Sequence, residues 1–468
     1  MCGLVACVDP MTDLTAAVAA LDHRGPDHAA VLTHAGVGLG HTRLAIQDLD
    51  ARSNQPYRAG RIALVFNGEV FNPDTLRAAV EDVRPDHEWR TTGDTEALAW
   101  ALDTLGPVAT LELVDGMFAL AWADERQPGV LHLARDRMGE IPLHVHRARP
   151  LMAASELKAF TAAGRRCGDA VVDVPPGEYW NVHPASIAVT KWASLAGRPD
   201  KTHTLRSASR EVRTLLARGV ARRSIADVGV CTLLSGGVDS AAITAEIAAR
   251  DPDVVAYTAR LDPRSRDLRC ARETAAHLGI KLVEVSVPSP TAADLAEVVR
   301  VLEMPHKAQV EIGWACLHLA HRIAADGYRV VYSGEASDEL WGSYGNSYFG
   351  IRDKGWFRYR RQLFAGQSRK NFPRVNKAFM HASVEARLPF CDPDLVRFAL
   401  SLPPDAVQDG TSRPKAVLQR AYDDVLPDSV TKRPKVAFQD GLGLKDVIAR
   451  TLDDPRQHYA HSFTRAYG

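Results

Sequence analysis

In the first part of the chain, up to about residue 190, short apolar runs alternate with turn residues. Apolar runs of this length predict β-strands, whereas TEALAWALDTL (95–105) has the 3.6-residue spacing of an amphipathic helix. The predicted strands are 36–48, 61–71, 116–124 and 129–137. This part of the chain is therefore expected to be rich in strands.

From about residue 205 onward the pattern changes. The apolar strand DVGVCTLL is followed by the loop SGGVDS, by an Ala-rich helix and by further apolar strands, DVVAYTARL, KLVEVSV and YRVVYS. This order predicts a parallel sheet with crossover helices, followed by a mainly helical C-terminal third. The polar stretch KWASLAGRPDKTH predicts a linker. We therefore expect a first domain at 1–190, a linker at 191–204 and a second domain at 205–468.

Composition narrows the classes of function. The 468 residues are too many for one ordinary core, and 46% hydrophobic with 24% charged residues is typical of a globular protein. Lys+Arg and Asp+Glu are equal at 57 each, so no net charge attracts nucleic acid or an acidic membrane surface. Small-molecule partners are expected instead.

The cysteines and the apolar runs bear on the compartment. Seven cysteines spread over the chain, with no C-x-x-C pair, predict neither a disulfide framework nor a zinc site. No apolar run approaches the roughly 20 residues that cross a bilayer, and the N-terminus lacks the pattern of a signal peptide. The expected location is the cytoplasm.

LLSGGVDS (233–240) follows an apolar strand and precedes a helix. Gly236 and Gly237 allow close backbone approach to an anion, Ser235 and Ser240 add hydroxyl groups, and the helix N-terminus adds partial positive charge. The segment lacks the lysine of a nucleoside triphosphatase P-loop. Asp239 beside phosphates implies a bridging Mg²⁺. The alternative is a Gly-rich turn that caps an ordinary helix.

A second loop, YSGEASDELWGSYG (332–345), also follows an apolar strand. In an open α/β sheet both loops reach the same crevice at the carboxyl ends of the strands. There they could hold ATP, a metal ion and a carboxylate to be activated, with Asp338 as a metal ligand and Glu335 for acid–base work. The alternative is an acidic, solvated helix cap.

The chain begins MCGLVACVDP, with a cysteine directly behind the initiator methionine. A lone cysteine near a terminus is usually a small hydrophobic residue. After removal of Met1, however, Cys2 would carry both a thiol and a free α-amine, and the amine could activate the sulfur as a nucleophile.

These motifs together resemble the glutamine-dependent asparagine synthetases over nearly the whole chain. Besides MCG, SGGVDS and SGEASDE, the matching segments are LDHRGPD, HTRLAI, NQPY, FNGEVFN, GDTEAL, GMFALAWAD, ARDRMGEIPL, ASELKAF, VEARLPFCD, RPKAVLQRAY and KRPKVAFQDGLG. The resemblance implies an α+β N-terminal-nucleophile glutaminase with an αββα sandwich. An α/β PP-loop synthetase domain with a parallel sheet and a helical C-terminal part would follow it.

For the first domain, the resemblance implies that Cys2 attacks the glutamine amide and forms a thioester. Asn67 and the backbone N–H of Gly68 would form the oxyanion hole. An Asn-Gly pair taken alone more often makes a hairpin turn.

The remaining groups of this domain would bind the substrate. Arg43 would hold the glutamine carboxylate, and Glu69 and Asp94 would hold its α-ammonium.

For the second domain, the resemblance implies adenylation of a carboxylate with release of pyrophosphate, then attack by ammonia. The residues expected at ATP and pyrophosphate are Leu234, Ser235, Gly236, Gly237, Asp239, Ser240, Ala259, Ser333, Gly334 and Lys415. Glu335 and Lys415 are the expected catalytic residues, and Asp239 and Asp338 the expected Mg²⁺ ligands. Without the resemblance, Lys415 would be assigned as an exposed helix lysine.

One segment departs from the family. Where asparagine synthetases have a segment resembling ETYDVTTIR, this chain has EMPHKAQVE, so that Glu311 stands at the place of the arginine. A carboxylate would repel the aspartate that the arginine binds. Lys307 could anchor an acceptor carboxylate from a shifted position or pair with Glu311. Two further departures are Ala336 for glycine and Trp341 for phenylalanine.

We therefore expect an asparagine synthetase-like amidotransferase whose acceptor is a carboxylic acid other than aspartate. Conventional asparagine synthesis with a rebuilt pocket is the nearest alternative. Intramolecular β-lactam formation is disfavoured because those relatives typically lose the N-terminal cysteine. A regulatory relative would be expected to have lost Cys2, Asp239 or Glu335. The expected partners are glutamine, ATP and the acceptor; a homodimer is a candidate assembly that the sequence does not establish.

Overall fold

The computed structural model describes residues 1–183, 185–195, 197–344, 347–409, 414–433 and 443–468. The strands of the first domain are β1 Gly3–Cys7, β2 His28–His34, β3 Val37–Arg43, β4 Tyr57–Ala59, β5 Ile62–Val70, β6 Gly116–Asp124, β7 Leu131–Arg135, β8 His144–His146, β9 Met152–Ala154, β10 Val171–Asp173, β11 Glu178–Val182 and β12 Ile187–Lys191. Its helices are α1 Thr15–Ala19, α2 Pro73–Glu81, α3 Asp94–Leu105, α4 Pro107–Leu113 and α5 Leu157–Ala162.

These strands form two antiparallel sheets, in the orders β10-β8-β9-β1-β3-β2 and β12-β11-β7-β6-β5-β4. Alternate side chains of β5 face opposite sides of its sheet, and this explains how the two sheets stack. Ala63 and Val65 join the core between the sheets, whereas Leu64 and Phe66 pack with apolar residues of α2 and α3. Helices α1 and α5 pack with the outer face of the other sheet. The result is the predicted αββα sandwich.

The second domain contains the strands β13 Val230–Leu233, β14 Val255–Arg260, β15 Lys281–Ser286, β16 Val330–Tyr332 and β17 Glu385–Arg387. Its helices are α6 Leu205–Arg222, α7 Val238–Ala248, α8 Arg266–Leu278, α9 Ala292–Leu302, α10 Lys307–Ala325, α11 Ser337–Trp341, α12 Ser347–Lys354, α13 Trp356–Ala365, α14 Asn371–Met380, α15 Pro393–Ser401, α16 Pro404–Val407, α17 Ala416–Ala421, α18 Asp428–Thr431, α19 Leu444–Thr451 and α20 Pro455–Tyr467.

The five strands form one parallel sheet in the order β15-β14-β13-β16-β17. Strands β13 and β16 are direct neighbours, with Val230 opposite Val330. Because parallel neighbours end at the same edge of a sheet, the loops after them are adjacent. The predicted fold class is confirmed for both domains.

The boundaries differ from the predictions in one informative place. The strand predicted at 36–48 ends at Arg43, because the following segment turns its carbonyl groups toward the Arg43 side chain. The predicted linker lies between β12 and α6, whose first turn is capped by Thr204 and Ser207. Most of the motif KRPKVAFQDGLG, residues 434–442, and Arg413 lie outside the described residues.

Two further predictions can be compared with the described residues. None of the helices there is long and apolar enough to cross a membrane. All seven cysteines are buried and free, as the scattered spacing predicted.

Candidate active sites

Cys2 lies at the start of β1, next to a small cavity of about 20 Å³ in the first domain. Asn67 Oδ1 accepts a hydrogen bond from the Cys2 amide at 2.9 Å, and Arg24 Nε donates to the Cys2 carbonyl at 2.9 Å. Burial raises the pKa of the Cys2 thiol, against the opposing effect of the N-terminal ammonium. The cavity is also lined by the predicted residues Arg43, Gly68, Glu69 and Asp94.

The FNGE segment on β5 places two polar groups beside Cys2. The Asn67 side chain is fixed at both ends, since its Nδ2 donates to Ser155 Oγ at 3.2 Å. Gly68 has φ of 147°, and a Cβ there would overlap the Met117 carbonyl of β6. Only glycine fits this position without strain.

The Arg43 guanidinium is held by the loop that follows β3. Nη1 donates to the Asp50 carbonyl and to Asn54 Oδ1, both at 2.8 Å, and Nη2 donates to the Asp48 carbonyl. Backbone carbonyls that hold a buried arginine fix its direction without neutralising its charge. Arg43 therefore presents an oriented cation to the cavity.

Two carboxyl groups, Glu69 and Asp94, also line this cavity. Burial raises the pKa of Glu69 well above its usual range, and the nearby carboxylates of Glu385 and Asp94 add to the shift. Burial also raises the pKa of Asp94 to about 6, although Asp94 Oδ2 accepts a hydrogen bond from the Val70 amide at 2.9 Å. A bound ammonium would stabilise both ionised forms.

The second domain contains a cavity of about 560 Å³ at the carboxyl ends of its central strands. It is lined by the predicted residues Leu234, Ser235, Gly237, Asp239, Ser240, Ala259, Ser333, Gly334, Glu335, Asp338 and Lys415. Gly236 does not line it. With φ of 80°, Gly236 turns the loop so closely against the Asp267 carbonyl that a Cβ would overlap it.

Hydrogen bonds and close packing fix the two loops relative to each other. Ser240 Oγ accepts from the Ser235 amide at 3.0 Å, which closes the first loop onto α7. A Cβ at Gly334 would lie 3.0 Å from the Ser240 amide nitrogen. Backbone amides and hydroxyl groups that converge in this way suit phosphate oxygens.

Lys415 connects the two loops through their carboxylates. Its Nζ lies 2.5 Å from Asp338 Oδ1 and also contacts Asp239 Oδ2. Burial acts to lower the pKa of Lys415, but Asp239 and Asp338 outweigh it and raise that pKa. Two carboxylates that share one cation also form a suitable oxygen donor set for Mg²⁺, whose sites usually combine one or two carboxylates with phosphate and water. Among the described residues, no group of three or more His, Cys, Asp or Glu side chains is arranged so that it could hold a metal ion.

Beyond Glu335 the cavity wall is a chain of hydrogen bonds that no sequence motif indicated. Arg374 of α14 contacts Glu335 and donates to Gln309 Oε1 at 2.7 Å. Gln309 in turn donates to Asn371 Oδ1 at 2.9 Å, and Asn371 donates to Glu339. The only signal in the sequence was an arginine three residues after an asparagine. Such a signal is weak, because charged residues on helices are far more often exposed than buried.

The two acceptor residues predicted from EMPHKAQVE lie elsewhere. Lys307 pairs with Glu311 one helical turn later on α10, and neither lines the cavity. The face of α10 that does line it presents Ala308, Gln309 and Ile312. Glu311 is nevertheless buried, with 1% of its surface exposed.

Comparisons with known proteins match two different families to the two parts of the chain. Residues 1–179 match a family described as a glutamine amidotransferase domain. Residues 211–374 and 368–467 match the asparagine synthase family, and this second match covers more than half of the chain.

Individual relatives are similar along most of their length. Asparagine synthetase B [glutamine-hydrolyzing] of Escherichia coli (strain K12) is 29% identical, over 92% of this chain and 80% of its own. The asparagine synthetase of Triphysaria versicolor is 29% identical, over 90% and 74%. A solved structure, glutamine phosphoribosylpyrophosphate amidotransferase from B. subtilis with ADP and GMP, is 17% identical over 62% of this chain and 82% of its own. Its TM-score of 0.36 supports no argument. The chain belongs to the asparagine synthase family, with a glutamine amidotransferase domain at its N-terminal end.

Proposed function

We propose that the protein hydrolyses glutamine in its first domain and uses the ammonia to amidate a carboxylic acid that its second domain activates with ATP. One observation carries the proposal. A single chain combines a buried Cys2 beside oriented cationic and anionic side chains with a separate cavity whose glycine-containing loop, two carboxylates and lysine suit a nucleotide.

In the first domain, Cys2 would act as the nucleophile after removal of Met1 frees its α-amine. The sulfur forms a C–S bond to the amide carbon, and the C–N bond then breaks as the leaving nitrogen takes the thiol proton, relayed by the amine. Water hydrolyses the thioester and returns the thiol. Asn67 and the Gly68 N–H are the proposed donors to the oxyanion that forms in each half of the reaction.

Substrate recognition would come from opposite charges at the two ends of the amino acid. Arg43 would pair with the glutamine α-carboxylate, and Glu69 and Asp94 with its α-ammonium. Because both carboxyl groups have raised pKa values in the free protein, their full ionisation would accompany binding of the cation.

In the second domain, the ATP phosphates would lie on residues 235–240 and beside Ser333 and Gly334. The acceptor carboxylate attacks the α-phosphate, an O–P bond forms, and pyrophosphate leaves. Ammonia then attacks the acyl carbon and AMP leaves. Lys415 would compensate charge on the phosphates, and Glu335 would accept a proton from the attacking ammonia.

Asp239 and Asp338 would hold Mg²⁺ in this cavity together with the phosphates. When bound, the ion supplies charge neutralisation on the pyrophosphate leaving group.

We also propose that the acceptor is not aspartate. The cavity face of α10 carries Ala308 and Gln309 rather than a cation, and Arg374 is already shared by Glu335 and Gln309. A free carboxylate at that wall would have to compete with Glu335 for Arg374. The relatives' names favour the alternative, an aspartate pocket of different construction.

The test measures pyrophosphate release over a panel of carboxylic acids, with ATP and glutamine saturating and the amide product quantified. We expect the specificity constant for aspartate to lie well below that of at least one other acid. Conversion of aspartate at about 10⁴ M⁻¹s⁻¹ or above, an ordinary value for an enzyme on its own substrate, would return the protein to conventional asparagine synthesis. Label from the glutamine amide must appear in the product amide if the two sites work together.

A further inference from the structure

Strand β17 of the second domain lies close to the glutamine cavity of the first domain. Strand β17 carries Glu385 and Arg387, both with 0% of their surface exposed, and its residues reach the interface behind Glu69. Arg387 Nη2 lies 3.7 Å from Glu69 Oε2. The N-terminal ammonium of Met1 lies 2.5 Å from Glu385 Oε2 and 4.0 Å from Glu69 Oε1.

The contacts of Arg387 divide into structural and electrostatic ones. Its Nε donates to Glu385 Oε1 at 2.7 Å, and its Nη1 donates to the Arg223 carbonyl at 2.6 Å. Its Nη2 is buried without a hydrogen-bond partner. The one charged group near that nitrogen among the described contacts is Glu69, so this end of the guanidinium acts on Glu69 through space.

The balance of charges around Glu69 determines how well the first domain could bind an ammonium group. Glu69 interacts with two other buried carboxyl groups, Glu385 and Asp94, and with Arg387; the Met1 ammonium acts on it only until Met1 is removed. When all three carboxyl groups are ionised in the processed protein, their negative charges outnumber Arg387, and the α-ammonium of an amino acid would reduce the excess. Without Arg387 the excess of negative charge would be larger. Protonation of Glu69 or Asp94 would then cost less free energy than keeping both groups ionised.

We propose that Arg387, together with Glu385, is a positioning pair from the second domain that sets how strongly the first domain binds the α-ammonium of its amide substrate. The inference rests on the proposed glutaminase function and deepens it. Arg387 touches no substrate and acts through Glu69 and Asp94.

The same residue also belongs to the nucleotide side of the molecule. The Arg387 carbonyl accepts a hydrogen bond from the Ser333 amide at 3.0 Å, in the loop that lines the larger cavity. A single strand thus connects a backbone contact at one site with a charge at the other. Selectivity for an α-amino acid amide would depend on the second domain being in place.

The test compares glutamine hydrolysis by Arg387→Met, Arg387→Lys and Glu385→Gln. Arg223→Met is the matched control, because Arg223 is a buried arginine at the same interface that forms a bidentate pair with Glu140 at 2.9 Å and does not line the glutamine cavity. The charged groups that act on Glu69 are Glu385, Asp94, Arg387 and, before its removal, the Met1 ammonium. The Cys2 thiol interacts with both Glu69 and Arg43.

Arg387→Met should raise KM for glutamine about tenfold or more, the effect of one pKa unit at a binding carboxylate, with kcat changed less than about twofold. Loss of the cation raises the pKa of the carboxyl groups, so the acid limb of kcat/KM should move to higher pH. Arg387→Lys should restore most of the affinity. Glu385→Gln removes a repelling anion and should move the limb to lower pH. Arg223→Met disturbs the same interface without removing a charge beside Glu69, so it should leave the acid limb where it lies in the parent.

A second substrate distinguishes the loss of a charge interaction with the α-ammonium from general damage to the active site. Glutaric acid monoamide lacks the α-ammonium, so Arg387→Met should leave its hydrolysis unchanged relative to the parent. An equal loss on both amides, or an unshifted limb in all three variants, would overturn the role of Arg387. A parent protein without any glutaminase activity would instead overturn the proposed function itself. If Arg387→Met does not fold, the proposal is tested by the direction in which the acid limb of kcat/KM moves in Arg387→Lys and Glu385→Gln.

Discussion

At the scale of single residues, two cysteines near the N-terminus offer a direct comparison. Cys2 precedes β1 and lines the small cavity of the first domain, whereas Cys7 ends β1 and packs in the core under α1 and α5. Both thiols are buried. A functional difference between them therefore cannot come from burial; it would come from the groups around each sulfur and from the α-amine that removal of Met1 frees on Cys2.

Cys2→Ala should abolish glutamine hydrolysis, by at least about a thousandfold, because it removes the nucleophile. Synthesis from added ammonium salts should continue, since the second domain makes its own acyl-adenylate. Cys7→Ala should retain both activities and lose only thermal stability. Glutamate release and amide formation, measured in parallel, check the prediction; parental glutamate release by Cys2→Ala would contradict it.

Lys415 shows how one cation organises the other site. Lys415→Met leaves Asp239 and Asp338 without the ammonium they share, so two partly buried carboxylates repel each other and the phosphates. Acceptor-dependent pyrophosphate release should fall by about a hundredfold or more, while glutamine hydrolysis survives in the other domain. Lys432→Met, which removes an exposed lysine paired with Asp428, is the control and should change neither rate.

At the scale of elements, the turn between β13 and α7 depends on one of two adjacent glycines. Gly236 has φ of 80° and packs directly against the Asp267 carbonyl. Gly237 has φ of −94°, and the nearest atom to a Cβ there would be Ser235 Oγ at 3.7 Å. The sequence motif alone treats the two positions as equivalent.

Gly236→Ala should therefore deform the loop at a cost of about 1–3 kcal/mol or more and suppress pyrophosphate release. Gly237→Ala keeps the backbone N–H and a common φ, so it should retain most of the activity. The measurement is acceptor-dependent pyrophosphate release by both variants, with glutamine hydrolysis as the internal reference. Equal losses in the two variants would contradict the geometric argument.

Local patterns in the sequence predicted the elements and the loops well, and long-range contacts account for what they missed. Residues 233–240 form a contiguous motif, so the first loop could be assigned directly. Arg374 and Arg387 enter the two sites from α14 and β17, more than a hundred residues from the first loop, and no local pattern marks their direction. Glu311 was expected to face the acceptor, with pairing to Lys307 as an alternative; on α10 it pairs with Lys307 and is not among the residues that line the cavity. Ala336 was recognised as a replacement for glycine, and its φ of 76° gives the reason for glycine there.

At the scale of the whole molecule, buried ion pairs join the two domains. Glu303, at the end of α9, lies 3.5 Å from Lys158 Nζ of the first domain and accepts hydrogen bonds from the Leu157 and Lys158 amides. Within the second domain it also contacts Lys377 at 2.5 Å. Arg223 and Glu140 form a second bridge across the interface. Removing one partner of such a pair leaves a buried charge uncompensated, so these contacts make the docking of the domains specific.

This interface should weaken in acid. Burial acts to raise the pKa of Glu303, but Lys377 and Lys158 outweigh it and lower that pKa below its usual value. Because the folded-state pKa is lowered, the pair stabilises the protein fully above the unfolded value of about 4.3. That stabilisation is lost as the pH falls further, toward the folded-state pKa. Each proton that the unfolded chain binds in excess changes the free energy of unfolding by about 1.4 kcal/mol per pH unit.

Thermal unfolding between pH 7 and pH 3.5 should show Tm falling steeply below about pH 4.5. Glu303→Gln should lower Tm at neutral pH and flatten this dependence, because it removes the group that titrates. Glu273→Gln, at an exposed position on α8, should leave both the Tm and its slope as in the parent. Limited proteolysis between β12 and α6 should become faster over the same pH range if separation of the domains precedes their unfolding. A Glu303→Gln variant with the parental slope would assign the acid sensitivity to carboxylates elsewhere in the molecule.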